Sequence, residues 1–362
     1  MGSMNAILAR LPAGLAGSVA AVLAAFLVGA ALIAAVGVSP VTAYAALFEA
    51  ALGSANGLAE TLVRTVPLAL CGLGIALAFR AGVFNVGAEG QLFVGGAAAG
   101  AIGVAGAGLP SIVLLPAMAL SAMIAGAAWS GIAAVLKLRF RADELITTIM
   151  LNYVAIHLVS FLLHGPLKDP NGALAQTARL TSDGRLPVLL GGTRLHAGIL
   201  IVLVAAILAH LFLWRRTEGF RLRVVGLNQR AALNAGMNVR RAVLIGFLAC
   251  GALAGLAGFS EVAGVQRRMI ENLSPGYGYT AIIVALLGQT SPFGVVAAAF
   301  LFAALQIGAT TMESAAGVPS TLTTVIQGLV VLFLIGRDAI PLIGDALARL
   351  GDALARLGRK SA

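Results

Sequence analysis

Three polar side chains, Asn85, Glu89 and Gln91, stand in an apolar, glycine-rich stretch just after Phe84. A carboxylate or amide among apolar residues costs several kcal/mol unless it is paired or faces water, so such groups are candidates for contact with a polar solute. In a second apolar run, Asn152 and Tyr153 offer donors and acceptors of the kind a nucleobase or ribose needs; interhelical hydrogen bonding is the competing reading. Phe84, Phe93, Tyr277 and Tyr279 have faces on which a flat base stacks, although interfacial anchoring accounts equally well for the tyrosines. Glu60 and Arg64, four apart, are expected to pair on one helix face. His157 and His164 share a face without a third ligand, so no metal site is expected. No catalytic residues are expected either, because no acid, base and nucleophile converge. A Gly-xxxx-Gly-Lys-[Ser/Thr] phosphate cradle is missing, even at the tail Gly358-Arg-Lys-Ser361, so ATP and Mg2+ have no site in this chain.

These groups need elements to hold them. Of 362 residues, 60% are apolar and 10% charged, with a mean hydropathy of +0.99, whereas a soluble domain is roughly a quarter charged. The chain is therefore read as an all-α polytopic membrane protein. Runs such as 17–37, 112–135 and 199–213 approach the length that spans a ~30 Å hydrocarbon core at ~1.5 Å per residue. The period-two alternation of barrel strands is absent. Helices are expected near 15–37, 58–79, 86–106, 111–137, 144–164, 195–214, 241–264, 277–290, 293–312 and 321–337, giving about ten spans (eight to ten). The Gly-rich 86–106 and the short 277–290 are candidates for broken or re-entrant segments. Cys71 and Cys250 sit alone in apolar runs and read as small core residues. Gly96-xxx-Gly100 and Gly251-xxx-Gly255 permit close helix approach.

The net charge of +10 follows topology and does not indicate nucleic acid, because the arginines lie in short loops. With the N-terminus inside, seventeen Lys and Arg fall on one side and seven on the other, which places both termini in the cytoplasm. The outer loop at 165–194, with Pro166, Asp169-Pro-Asn-Gly172, Asp183-Gly184 and Pro187, is a docking surface or a connector. The basic insertion 221–241 cannot span a membrane. There Asn228 suits an N-cap and Gly236 a left-handed C-cap, giving a short two-turn surface helix, with an ordinary basic loop as the alternative. Residues 1–14 form a cytoplasmic N-terminus whose first three residues read as an expression scar, and 15–337 form the membrane domain. At 338–362 a tail repeats Gly-Asp-Ala-Leu-Ala-Arg-Leu and reads as an amphipathic interfacial helix.

Gly226-Leu-Asn228, Ala231-Ala232 and Gly236-Met-Asn-Val, followed by Gly251-Ala-Leu-Ala-Gly255-Leu-Ala-Gly258, resemble the permeases of branched-chain amino acid, simple-sugar and nucleoside ABC importers. Phe79-Arg-Ala-Gly-Val-Phe-Asn85-Val-Gly87-Ala-Glu89-Gly90-Gln91 is similar to a stretch of the nucleoside-type branch. Further similar blocks are Glu144-Leu-Ile-Thr-Thr-Ile-Met-Leu-Asn152-Tyr153, the run 276–288 and Val325-Ile-Gln327-Gly328. The resemblance implies a type II-like permease bundle in which 221–241 is the coupling segment, with Gly226, Asn228, Ala231, Asn234 and Gly236 as contact and turn positions. It also implies a separate ABC ATPase subunit that binds ATP and Mg2+, a second permease subunit (sister or self), and a periplasmic or lipid-anchored solute-binding protein. The expected location is the bacterial inner membrane, in contact with lipid. The expected cargo is nucleosides or purine bases, imported by alternating access, with simple sugars as the alternative. A secondary transporter or channel is the rival class. It would need broken helices in both halves and an ion-coupling carboxylate; Glu89 is available, but no matching second element is present.

Overall fold

The computed structural model describes residues 13–336; the expected expression scar, the rest of 1–12 and the heptad tail at 338–362 lie outside the described residues. In chain order the helices are α1 (Ala13–Ala35), α2 (Pro40–Leu52), α3 (Ala55–Arg80), α4 (Ala88–Ala105), α5 (Ser111–Phe140), α6 (Glu144–His164) and α7 (Gly198–Arg215). There follow α8 (Thr217–Leu227), α9 (Gln229–Asn234), α10 (Val239–Ser260), a π-helical turn at Glu261–Gln266, α11 (Tyr277–Leu287), α12 (Pro292–Ala316) and α13 (Ser320–Gly336).

The expectation of about ten spans is corrected. Among the described residues six helices are long and apolar enough to cross a membrane, or seven if the bent pair α1–α2 counts as one span. Each shortfall has a local cause. The expected 15–37 span continues into α2 through a bend of 119°, where Gly37 is left-handed and Pro40 starts the second helix. Helix α11 has 11 residues, about 16 Å against a ~30 Å core. Helix α4 carries Glu89 and Gln91 in its first turn, which lowers its hydropathy, and α13 has only 17 residues.

The described residues form two compact units, 13–50 with 305–336 and 51–304. In the smaller, α1 packs on α13 and the Tyr44 hydroxyl donates to the Phe26 carbonyl at 2.7 Å. In the larger, α10 packs against α3, α4 and α5. The contact is between backbones: a Cβ at Gly126 or Gly251 would strike the facing helix's backbone, and one at Gly255 would strike the Ala122 carbonyl. Helix α3 is mostly buried, whereas α5 and α6 turn Ile112, Leu120, Ile124, Met150, Val154 and Phe161 outward. An apolar exterior around a close-packed small-residue interior is what a bundle in lipid requires. Ser54, Asp143 and Asn238 cap α3, α6 and α10 with their side-chain oxygens. The expected Glu60–Arg64 pair does not form. Glu60 instead holds Arg194 at 3.2 Å, because the loop ahead of α7 brings that guanidinium to it.

One end of the larger unit carries Arg80, Lys137, Arg139 and the run from Arg215 to Arg241. At the other, the loop 165–197 is a packed layer and not a free connector. Its backbone amides at Thr177, Leu180 and Leu186 donate to the carbonyls of Met269, Arg267 and Ala263, and Asp183 accepts from Ser111 at the start of α5. His196 closes the layer. Its ring lies against Gly198 and Gly264 of the π-turn, and Nδ1 accepts from the Gly198 amide at 3.1 Å. Nε2 therefore carries the proton, and it finds no partner among the described residues. Burial, with Arg194 nearby, pushes the pKa of this loop histidine from 6.5 down to about 4.

Two outcomes follow from this packing. Gly126→Val is expected to lower the thermal stability of the detergent-purified protein by about 1–3 kcal/mol or more through overpacking. Gly131→Ala, on the same helix with its nearest neighbour at ordinary contact distance, should be neutral. For His196, the unfolded ring takes up a proton below pH 6.5 while the folded ring stays neutral to about pH 4. Stability is therefore full above pH 6.5 and declines as pH falls toward 4, by up to about 3 kcal/mol. Melting curves of the parent and His196→Gln at pH 7 and 4.5 should show the smaller acid loss in the variant.

Candidate functional site

The first part of the site is the basic-end surface. Asn228 caps α9, its Oδ1 accepting from the Ala231 amide at 3.0 Å. At the other end Gly236 is left-handed, its amide donates to Leu233, and Met237 donates to Ala232, which closes a Schellman turn. The helix is shorter than the two turns expected, at six residues. Only Ala232 of α9 is buried, packed with Val225 and Ala242. Asn228, Ala231, Asn234 and Gly236 all face outward, beside Leu227, which is 87% exposed. Gly226 differs from these in being a packing position. A Cβ there would strike the Arg80 carbonyl, and its Cα meets Gly82, itself left-handed at φ 70°. The surface segment is thereby seated directly on the backbone that leads from α3 into α4.

The second part is a polar knot around that connection. Residues 81–87 leave the helix, and backbone in an apolar bundle must find its hydrogen bonds within the protein. Asn85 Oδ1 accepts from Gly87 N at 2.8 Å and from Gln91 Nε2 at 3.2 Å, while its amide donates to Ser130 Oγ. Ser130 donates in turn to the Phe247 carbonyl of α10. Asn152 Oδ1 accepts from Gly90 N at 2.9 Å, and its amide donates to Val86 O and Tyr279 Oη. Ser130 lies ten residues inside the end of α5, about 15 Å inward. The 81–87 segment therefore dips into the bundle.

Glu89 serves α11. Its Oε2 accepts from Gly278 N at 2.6 Å, which places a carboxylate on the positive end of that helix. Gly278 must be glycine because a Cβ would strike the Glu89 backbone. The far end of α11 is held as well: Arg80 donates to the carbonyls of Gln289 and Thr290 at 3.2 and 3.4 Å. Arg80 also lies over the Trp214 ring, as does Arg223. Thus α11 is tied at both ends to residues 80–89.

The six residues singled out as a solute pathway fall into two groups. Asn85, Glu89, Gln91 and Asn152 are buried and hydrogen-bonded within the protein, Asn85 and Asn152 to 86–91 and Glu89 to α11, whereas Phe84 and Tyr153 are 54% and 55% exposed. Sequence reasoning missed Glu261. It is the first residue of the π-turn, 3% exposed, and lines a cavity with Arg64, Arg194 and Tyr277. The signal was present, since an acidic residue closes the apolar run that begins after Arg241.

A family model described as branched-chain amino acid transport system / permease component matches residues 57–335. The chain is 43% identical to the glucose ABC transporter permease protein TsgB13 of Haloferax volcanii, over 87% of this chain and 85% of that one. It is 38% identical to the guanosine ABC transporter permease protein NupP of Bacillus subtilis, over 85% and 89% of the two chains. Against the nucleoside ABC transporter permease protein NupB of Lactococcus lactis it is 31% identical over 87% and 88%. Permeases of this kind work with an ATPase subunit and a solute-binding protein, and they are not enzymes. With its apolar helices, its capped basic-end segment and this match, the chain belongs to the branched-chain amino acid transport system permease family and is a multi-pass permease subunit of an ABC importer.

Proposed function

We propose that this permease is half of an importer that carries nucleosides or purine bases into the cytoplasm by alternating access. The observation that carries the coupling is the outward-facing, doubly capped α9 joined to Gly226, whose backbone sits on Arg80 and Gly82. In this reading the ATPase subunit, which binds ATP and Mg2+, grips Gly226, Asn228, Ala231, Asn234 and Gly236. Movement of that segment displaces 80–89, and α11 moves with it because Glu89 holds one end and Arg80 the other. The two states differ in affinity for the ATPase and for solute, as coupling requires. Phe84 and Tyr153 stand at the pathway surface, with Asn85, Glu89, Gln91 and Asn152 behind them. The basic end and both termini face the cytoplasm, and the 165–197 layer faces a solute-binding protein across the cell membrane. A second permease, a copy or a sister, completes the pathway.

The guanosine and nucleoside permeases support the cargo. The glucose permease supports simple sugars as the second reading. Proteoliposomes holding the permease, its ATPase and its binding protein should show ATP-dependent uptake of guanosine. Uptake of glucose with none of guanosine would overturn the cargo. Gly236→Val, at a backbone of φ 72°, should lower uptake by about tenfold and weaken copurification of the ATPase. Full uptake by that variant would remove α9 from the coupling.

A further inference from the structure

The polar knot is saturated, but the larger unit also holds a cavity of about 510 Å³ beside the 165–197 layer. That volume lies within the range of small-molecule sites. Its walls include Arg64, Arg194, Glu261, Asn272, Ser274 and Tyr277. The charged groups on it are unevenly satisfied. Arg194 is held by Glu60. Glu261, 3% exposed, accepts no hydrogen bond and makes no direct ion pair among the described residues, and Arg64 likewise pairs with nothing directly. The Glu261 carboxylate faces the cavity beside the Arg64 and Arg194 charges, with no hydrogen-bond donor from the described residues on its oxygens. The fold keeps it at a π-turn, where the helical ladder is interrupted and a side chain is re-aimed, a geometry frequent at functional sites.

We infer that this cavity is a solute subsite for a neutral molecule that presents a hydrogen-bond donor and an acceptor along one edge. The donor meets Glu261 and the acceptor meets Arg64. Vicinal hydroxyls of a sugar have this chemistry, and so does the lactam edge of a 6-oxopurine. With Arg194 neutralised by Glu60, the remaining wall charges cancel. An anion would face Glu261 and a cation would face Arg64, so the site favours an uncharged solute. Tyr277 and Leu273 supply the apolar wall for a ring. Tyr277 also opens α11, one residue before the amide held by Glu89, so an occupied cavity bears directly on the helix tied to the coupling segment. The inference rests on the importer reading in taking the occupant to be the transported solute.

The test uses the full chain in its membrane complex. Asn272→Cys lines the cavity and is exposed, whereas native Cys71 and Cys250 are buried, so a membrane-impermeant maleimide reports on the cavity alone. Saturating guanosine, guanine, ribose or glucose is added singly, without ATP. At least one should slow labelling by about fivefold or more, since fivefold already corresponds to about four-fifths occupancy. Protection by ribose or glucose but not guanine assigns the diol, and the reverse assigns the lactam edge. Adding Glu261→Gln, which keeps an acceptor oxygen but removes the charge, should weaken protection while leaving the unprotected labelling rate unchanged, which shows the variant is folded. If that rate changes, Glu261→Asp replaces it, with weaker protection expected. No protection by any solute, or protection indifferent to both Glu261 variants, overturns the subsite. Uptake without protection overturns it alone, whereas protection without ATP-dependent uptake overturns the importer reading and leaves the subsite standing.

Discussion

A chain that leaves its helix inside an apolar bundle carries its unpaired amides and carbonyls with it, and no water is at hand to satisfy them. This permease meets that constraint with side-chain amides. Asn85 and Asn152 satisfy the backbone of Val86, Gly87 and Gly90, and a carboxylate satisfies the start of α11. Once those bonds are in place, the unwound segment can lie deep in the bundle and still reach the surface at Gly82, where the coupling segment rests. Position, depth and mechanical connection of the 80–89 stretch all depend on this exchange of side-chain for backbone hydrogen bonds.

The same exchange explains why polar residues in a membrane bundle are ambiguous in sequence. Asn85, Glu89, Gln91 and Asn152 stand out because each is costly among apolar neighbours. That cost is equally well met by a solute, by water or by a broken backbone. Sequence alone distinguishes them only where a partner is local, as with Asn228 and Gly236, whose caps were legible because both partners lie within a few residues. Glu89 and Gly278 are far apart along the chain, so no local pattern announces their contact. Arg194 taking Glu60 from Arg64 is a case of the same kind.

Helix identity was readable from the length and composition of the apolar runs, and the caps of α3, α6 and α10 follow from ordinary residue preferences. The number of crossings was not readable. Apolar composition marks a segment as buried in something, either lipid or protein, and α11 is apolar because it lies among other helices. A bend such as the one between α1 and α2 leaves a Gly and a Pro as its trace, and these also occur at ordinary helix ends. The π-turn at Glu261 leaves less still, since one additional residue in a turn does not alter the apolar pattern around it.

The glycine contact between α10 and α5 has a kinematic consequence. Surfaces that meet backbone to backbone have no side-chain rotamers to repack, so they resist tilting and separation together and behave as one block. Helix α11 is fixed to residues 80–89 at both ends, by a glutamate and the Gly278 backbone contact at one and by an arginine at the other. A rod clamped twice to the same stretch of chain has no slack, so any displacement of 80–89 is passed to α11 at full amplitude.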